Sequence, residues 1–171
     1  VQAESIGNLS IECDYDPSIP DVHADKDQLI QAFLNIARNA VQATDGKGHI
    51  IIKTRIHRHI TIGRKRYKLA VKCDIIDDGP GIDAEMIKQI FYPMVTGRAD
   101  GTGLGLSIAQ ALISQHSGLI ECSSESGNTV FFIESSILKS VWVQTPQRIC
   151  LRSFSNSGSS CTRIFSVRLS I

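Results

Sequence analysis

Little in this sequence commits it to an electrostatic or membrane partner. Lys and Arg number 18 against 17 Asp and Glu, a formal net charge of +1 over 171 residues, which excludes a broad attachment to nucleic acid or to an anionic lipid surface. No apolar run approaches the roughly 20 residues that a bilayer-spanning helix needs, and nothing has the form of a secretory signal. A soluble, cytoplasmic chain is expected. The five cysteines, Cys13, Cys73, Cys122, Cys150 and Cys161, are widely spaced and include no CxxC pair, which suits a reduced compartment. Acidic residues are missing from two stretches. One is 57–68, "HRHITIGRKRYK", read as a solvated hairpin tip, with a docking patch as the alternative. The other runs from 135 to the end, where serines are frequent and apolar residues keep neither helical nor strand period. This divides the chain into a folded domain over 1–139 and an extension over 140–171, read as weakly ordered or non-native, with added strands of the same sheet as the alternative.

What is present begins with "LSIECDY", whose alternation of Leu9, Ile11, Cys13 and Tyr15 predicts a half-buried strand closed by Asp16-Pro17. Asp25 and Gln28 have the spacing of a capping box, and Leu29, Ile30, Phe33, Ile36, Ala37, Ala40 and Val41 recur at helical spacing, predicting a helix over 26–43. Residues 50–56 and 67–76 read as two strands joined by the basic tip. A short helix is predicted over 83–91, stopped by Pro93, and a longer one over 104–116 with Gly118 as its C-terminal cap. A hairpin over 119–124 and 129–133 follows. This order predicts an α+β fold, a two-layer sandwich of a mixed, mainly antiparallel sheet with about three helices on one face.

Three short motifs carry chemistry. Asn35 and Asn39, in "NIARNA", lie four apart and therefore on one helix face. Two such carboxamide oxygens could ligate a hard cation such as Mg²⁺ shared with phosphates; taken singly, each would be an ordinary solvent-facing residue. "DDGPG", at 77–81, sets a carboxylate at a strand end before two glycines that let a ligand approach the backbone; Asp77 could accept a hydrogen bond from an exocyclic amine such as that of adenine. An acidic turn is the plainer reading. "GRADGTGLGLS", at 97–107, holds four of the 13 glycines and feeds a helix whose N-terminal dipole suits phosphates, with Arg98 in reach of a terminal phosphate. It matches neither GxxxxGK[ST] nor a dinucleotide fingerprint.

In this order the motifs resemble those of the ATP-binding catalytic domain of sensor histidine kinases over about 9–133. "NIARNA" is similar to the N box, "DDGPG" to the first glycine box, "FYPMV" to the F box and "GTGLG" to the second glycine box. "DYDPSIPDV", "FYPMVTGR" and "GTGLGLSIAQALISQHSG" resemble, more narrowly, the nitrogen-regulation (NtrB-type) kinases. The resemblance implies the Bergerat ATP-binding fold shared with gyrase and MutL, with ATP beneath a lid. Asp77 would hold the adenine amine, with Gly79 and Gly81 allowing close approach and Thr129 supporting the pocket. Asn39, with Asn35, would bind Mg²⁺ and, with Arg98, serve catalysis. Phe91 would anchor the lid, and Gly101, Gly103 and Gly105 would surround the phosphates. Ile82, Thr96, Thr102, Leu104 and Leu106 would complete the nucleotide site. Implied partners are a histidine-bearing dimerisation domain of the same kinase, a response regulator and a nitrogen-signalling regulatory protein, with no nucleic acid and no membrane.

Hydrolytic members of the wider superfamily carry a glutamate where this chain has Asn35. A carboxamide cannot act as a general base near neutral pH, so the resemblance implies phosphoryl transfer rather than hydrolysis. None of His23, His49, His57, His59 and His116 has an HE-x-x-NP setting, so the acceptor is expected outside this chain. His116 reads as a helix-terminal residue, favourable there when protonated. The aromatic that many relatives carry after the second N-box asparagine is absent, the positions being Gln42, Ala43 and Thr44. Thr129 in "NTVFF" is preferred to Thr162 in "CTRIFSVRLSI" for the adenine-side strand, because Thr162 would need a long insertion between paired strands. The alternative function is a nucleotide-binding regulatory module without kinase activity.

Overall fold

The helical period over 26–43 becomes α1 (Lys26–Ala43), which buries Ala32, Ile36 and Ala40. The structure, a computed structural model, describes residues 2–136 except 7, 21–23, 63 and 99–100; the extension over 140–171, Thr162 and His23 lie outside the described residues. The N-cap differs from a reciprocal capping box. Asp25 accepts from the Gln28 backbone N–H at 3.0 Å and from the Gln28 side chain at 3.1 Å, while its own N–H donates to His116 Nε2 at 3.0 Å.

Six strands form one sheet in the order β1-β2-β3-β4-β6-β5. They are β1 (Gln2–Ile6), β2 (Leu9–Asp14), β3 (Gly48–Ile62), β4 (Lys65–Asp77), β5 (Gly118–Glu125) and β6 (Asn128–Ser136). The β2–β3 pair is parallel and the other four pairs are antiparallel, giving the mixed, mainly antiparallel sheet expected. β1 adds an edge strand that sequence reasoning did not assign. Alternate residues of β3 to β6, Ile50, Ile52, Cys73, Ile75, Ile120, Phe131 and Ile133, form one core with Ala32, Ile36 and Ala40 of α1 and with Ala109 and Ile113 of α3 (Gly105–Gln115). Residues of the opposite parity form surface pairs instead, such as Lys72 Nζ with Asp74 at 3.1 Å. The helices thus cover one face, because only that face is apolar along the strands.

β3 and β4 run beyond their neighbours. Among the described residues β2 pairs with β3 only as far as Lys53, and β6 reaches β4 only from Ala70, so from Arg58, opposite Leu69, the β3–β4 pair continues as a two-stranded ribbon. Its Arg58, Arg64, Arg66 and Lys68 are exposed, as expected of a solvated basic tip.

Two helix ends depart from expectation. The predicted helix over 83–91 is a single turn, α2 (Ala84–Ile87). Bonds from Gln89 N–H to Met86 O and from Tyr92 N–H to Gln89 O, both 2.9 Å, tighten the chain after it, which turns Ile90 into the core. The left-handed residue ending α3 is Ser117 (φ 57), not Gly118. Gly118 opens β5 and is needed for space: an added Cβ would stand 2.8 Å from Ile113 Cγ2. His116 stands at the C-cap of α3, the helix terminus expected for it. Its Nδ1 lies 2.8 Å from Leu112 O while Nε2 accepts the Asp25 N–H. The imidazole thereby ties the end of α3 to the start of α1.

Candidate functional site

β4 delivers Asp77 to the end of the sheet. The residue is 1% exposed; its Oδ1 accepts from Gly79 N–H at 3.1 Å, while Oδ2 is buried without a partner. Desolvation pushes this carboxyl above its usual range, opposed by the Gly79 bond and reinforced by the charge of Asp78. A buried, unpaired carboxylate oxygen costs stability unless something donates to it. Thr129 faces Asp77 across the β4–β6 ladder and is equally buried. Its hydroxyl lies 2.7 Å from Ser124 Oγ, which accepts Ile82 N–H at 2.8 Å.

The glycines that follow Asp77 fit for different reasons. At Gly79 a Cβ would meet Asp77 Oδ1 at 2.7 Å and the Cβ of Ala43 at 3.0 Å, so the loop lies directly against the end of α1. Gly81 has φ +90 and would bring a Cβ to 2.9 Å from Glu125 O; only glycine satisfies both conditions. Gly127 N–H donates to Gly79 O at 2.9 Å, so the β5–β6 turn holds the loop from outside. Asp78 serves the fold, its Oδ1 accepting His49 N–H at 2.9 Å.

Phe91 packs edge-on against the fully buried Phe131, centroids 6.5 Å apart and planes at 87°, which fixes the start of the loop 93–104 to the core. Phe91→Ala is expected to cost about 3 kcal/mol, the low end of the large-to-small range because the ring is only partly buried; urea denaturation of the variant measures it. Farther along, Met94 N–H donates to Gly103 O at 3.0 Å, closing the loop at its base. Gly103 has φ +65, and a Cβ there would come within 2.8 Å of Val95 N. At the far end Thr96 Oγ1 accepts Arg98 N–H at 3.1 Å, and Gly101 N–H donates to Arg98 O at 3.3 Å. Thr102 and Leu104 are exposed, whereas Leu106 packs on the core.

α3 starts at Gly105 with no side chain capping it, leaving its first N–H groups for a ligand or water. A Cβ at Gly105 would have Asn35 Cβ as its nearest neighbour, 3.9 Å away. Asn35 Nδ2 is buried without a partner, and Asn39, one turn on, is half-buried. Around the second half of α1 the fold therefore brings Asn35, with Asn39 one turn on, to the start of α3, and sets Gly79, beside Asp77 and its cross-strand partner Thr129, against Ala43 at its C-terminal end, while Gly81 and Ile82 lie against Glu125 and Ser124 of β5. Two buried polar atoms without partners, clefts that a Cβ would fill and an uncapped helix start fit a nucleotide better than a closed core. Among the described residues no group of three or more His, Cys, Asp or Glu could hold a metal. The oxygen donors on offer are the α1 carboxamides, which suit a Mg²⁺ ion carried in on phosphates.

Arg98 is not among the gathered groups. Its guanidinium donates to Gln42 Oε1 at 2.8 Å and to the Gln42 backbone carbonyl. Sequence reasoning missed Gln42, although it lies on the same α1 face as Asn35, seven residues on. It also missed Ser124, for which "CSSES" gives no signal. Burial pushes the thiols of Cys73 and Cys122 up to about 12 and keeps these two protonated.

Residues 24–137 match the family described as histidine kinase-, DNA gyrase B-, and HSP90-like ATPase. A sensory histidine kinase/phosphatase NtrB of Vibrio alginolyticus is 49% identical over 81% of this chain, and one of Escherichia coli O157:H7 is 48% identical over 81%. The chain spans 40% of the length of each. Among solved structures, full-length ShkA in complex with AMPPNP is similar with TM-score 0.62 and 27% identity, covering 78% of this chain and 27% of that one. The nucleotide-free catalytic domain of histidine kinase ThkA has TM-score 0.62 and 29% identity, covering 76% of this chain and 80% of that one. No helix among the described residues is long and apolar enough to cross a membrane.

Proposed function

This chain belongs to the histidine kinase-, DNA gyrase B- and HSP90-like ATPase family, and from that premise we propose that it is the ATP-binding catalytic portion of a sensory histidine kinase of the nitrogen-regulation type. It transfers the γ-phosphoryl group of ATP to a histidine on a dimerisation domain outside this chain, for relay to a response regulator, under a nitrogen-signalling regulatory protein. The observation that carries the reading is the unpartnered Oδ2 of Asp77, buried beside Gly79, where an exocyclic amine would find its acceptor.

In this reading Asp77 orients the adenine, and the open N–H groups at the start of α3 receive phosphate oxygens. Asn39 and Asn35 hold Mg²⁺ through their carboxamide oxygens; the ion, when bound, neutralises charge on the transferring phosphoryl group. No carboxylate stands at Asn35 to activate water, so the site positions phosphate for an external acceptor rather than for hydrolysis.

The test mixes the chain with a separately made dimerisation domain of the Vibrio alginolyticus relative and γ-labelled ATP·Mg²⁺. Acid-labile label on the acceptor histidine is expected. Saturable nucleotide binding without label would favour the regulatory-module alternative, and steady phosphate release from the isolated chain would favour an ATPase.

A further inference from the structure

The Arg98–Gln42 contact has no part in the function above. Arg98 lies in the loop 93–104, and Gln42 is in the last turn of α1. Asn35, Asn39 and Gln42 fall within roughly 60° of one another around the helix, at about 100° per residue, so Gln42 is on the face that carries the proposed metal ligands. Next to it, Ala43 is the residue against which Gly79 packs. The guanidinium takes both the side-chain oxygen and the main-chain carbonyl of Gln42. α1 has no basic residue in its own last turn, so Arg98 supplies from another segment the cation that a helix C-terminus favours. On the loop side, Thr96 Oγ1 holds Arg98 N–H, and Gly101 N–H holds Arg98 O. The arginine is thus fixed at both ends.

We propose that Gln42 is a lid-positioning residue: by holding Arg98 it clasps the loop segment 93–98 to the α1 wall of the nucleotide site, so that the clasp, not the phosphates, sets how fast nucleotide enters and leaves. The proposal rests on the nucleotide reading. It reassigns Arg98, whose fork is engaged by a planar amide and a helix carbonyl rather than left open toward α3. Opening the loop requires breaking two hydrogen bonds to a charged group, and such bonds are stronger than neutral ones. Loops of this kind gate substrate exchange in many enzymes.

Stopped-flow binding and displacement of fluorescent ATP and ADP analogues, with Mg²⁺, on the 171-residue chain test this. Gln42→Ala, Arg98→Ala and the double variant should each speed dissociation about tenfold, equally for ATP and ADP, with the double variant no faster than either single. Gln42→Glu should slow dissociation, because a carboxylate strengthens the clasp; a merely damaged helix end would not produce slower exchange. Loss of ATP over ADP preference in Arg98→Ala, with Gln42→Ala unchanged, would overturn the proposal and make Arg98 a phosphate ligand. Unchanged rates in every variant would overturn it as well. A wild-type chain with no saturable signal would instead overturn the nucleotide reading, and the clasp with it.

Discussion

Asn39→Ala is expected to lower single-turnover phosphoryl transfer at saturating nucleotide by about a hundredfold to a thousandfold, the range seen when one preorganised electrostatic contact to a transition state is removed. Asn39 is half-buried one turn from Asn35, on the face of α1 that meets the start of α3. Phosphoryl transfer gives a protein little covalent work to do, so rate depends on where the metal and phosphate charges are held. Mg²⁺ demands near-octahedral geometry and keeps most of its waters. One missing carboxamide oxygen therefore shifts the ion relative to the phosphates rather than merely weakening it. Nucleotide affinity measured in EDTA should change by less than about threefold, or under 1 kcal/mol, since Asn39 is not among the residues proposed to hold adenine. If affinity without metal collapses along with transfer, Asn39 supports the fold rather than the ion.

Asp77→Asn should weaken ATP and ADP binding alike by at least about tenfold, 1.4 kcal/mol, because a charged acceptor for the adenine amine is lost. The same substitution should stabilise the nucleotide-free protein by on the order of 1 kcal/mol, since it removes a buried charge whose Oδ2 has no donor. The pH dependence has a definite sign. Burial raises the Asp77 carboxyl above its value in the unfolded chain, so the native state holds this proton more tightly. Stability is favoured below the unfolded-state value and is lost as pH rises through the native one. Thermal melts of wild type and variant should therefore diverge as pH rises across the carboxylate range and coincide in acid. Melts that differ equally at every pH would mean that Asp77 acts through packing alone.

The opposite signs of these two Asp77 effects are what separates a binding residue from a structural one. Asn35 Nδ2 shows a similar tension, a buried donor left without a partner. Both atoms lie on the side of α1 and β4 where Gly79 and Gly105 bring other backbones close, so a ligand would relieve both.

Much of this arrangement was legible in the residues. α1 follows its 3.6-residue apolar period from Lys26 to Ala43, as predicted, and Asp77 closes β4 where "DDGPG" said the strand would end. Thr129 was placed by the pairing of adjacent strands, and it faces Asp77 in register. What escaped depended on contacts between distant segments. β1 escaped because "QAESI" alternates weakly and is held by pairing with β2. The β3–β4 ribbon outran its predicted ends because charged residues at 58–68 blur an apolar alternation that cross-strand pairing maintains. The helix over 83–91 stopped after one turn because Ile90 is drawn into the core, a tertiary demand that overrides local propensity. Gln42 and Arg98, 56 positions apart, meet only once α1 and the glycine-rich loop are packed.

In the proposed function, α1 carboxamides, the strand-end acid and the start of α3 bind one Mg²⁺-loaded triphosphate nucleotide. Backbone amide NMR during titration with AMPPNP, with and without Mg²⁺, addresses it directly. Amides at Asn39, Asp77 to Gly79, Gly81 and Gly103 to Leu106 should move together and saturate at one stoichiometry, those near Asn39 only when Mg²⁺ is present. Shifts confined to one of these segments, or centred on the β3–β4 ribbon, would contradict it.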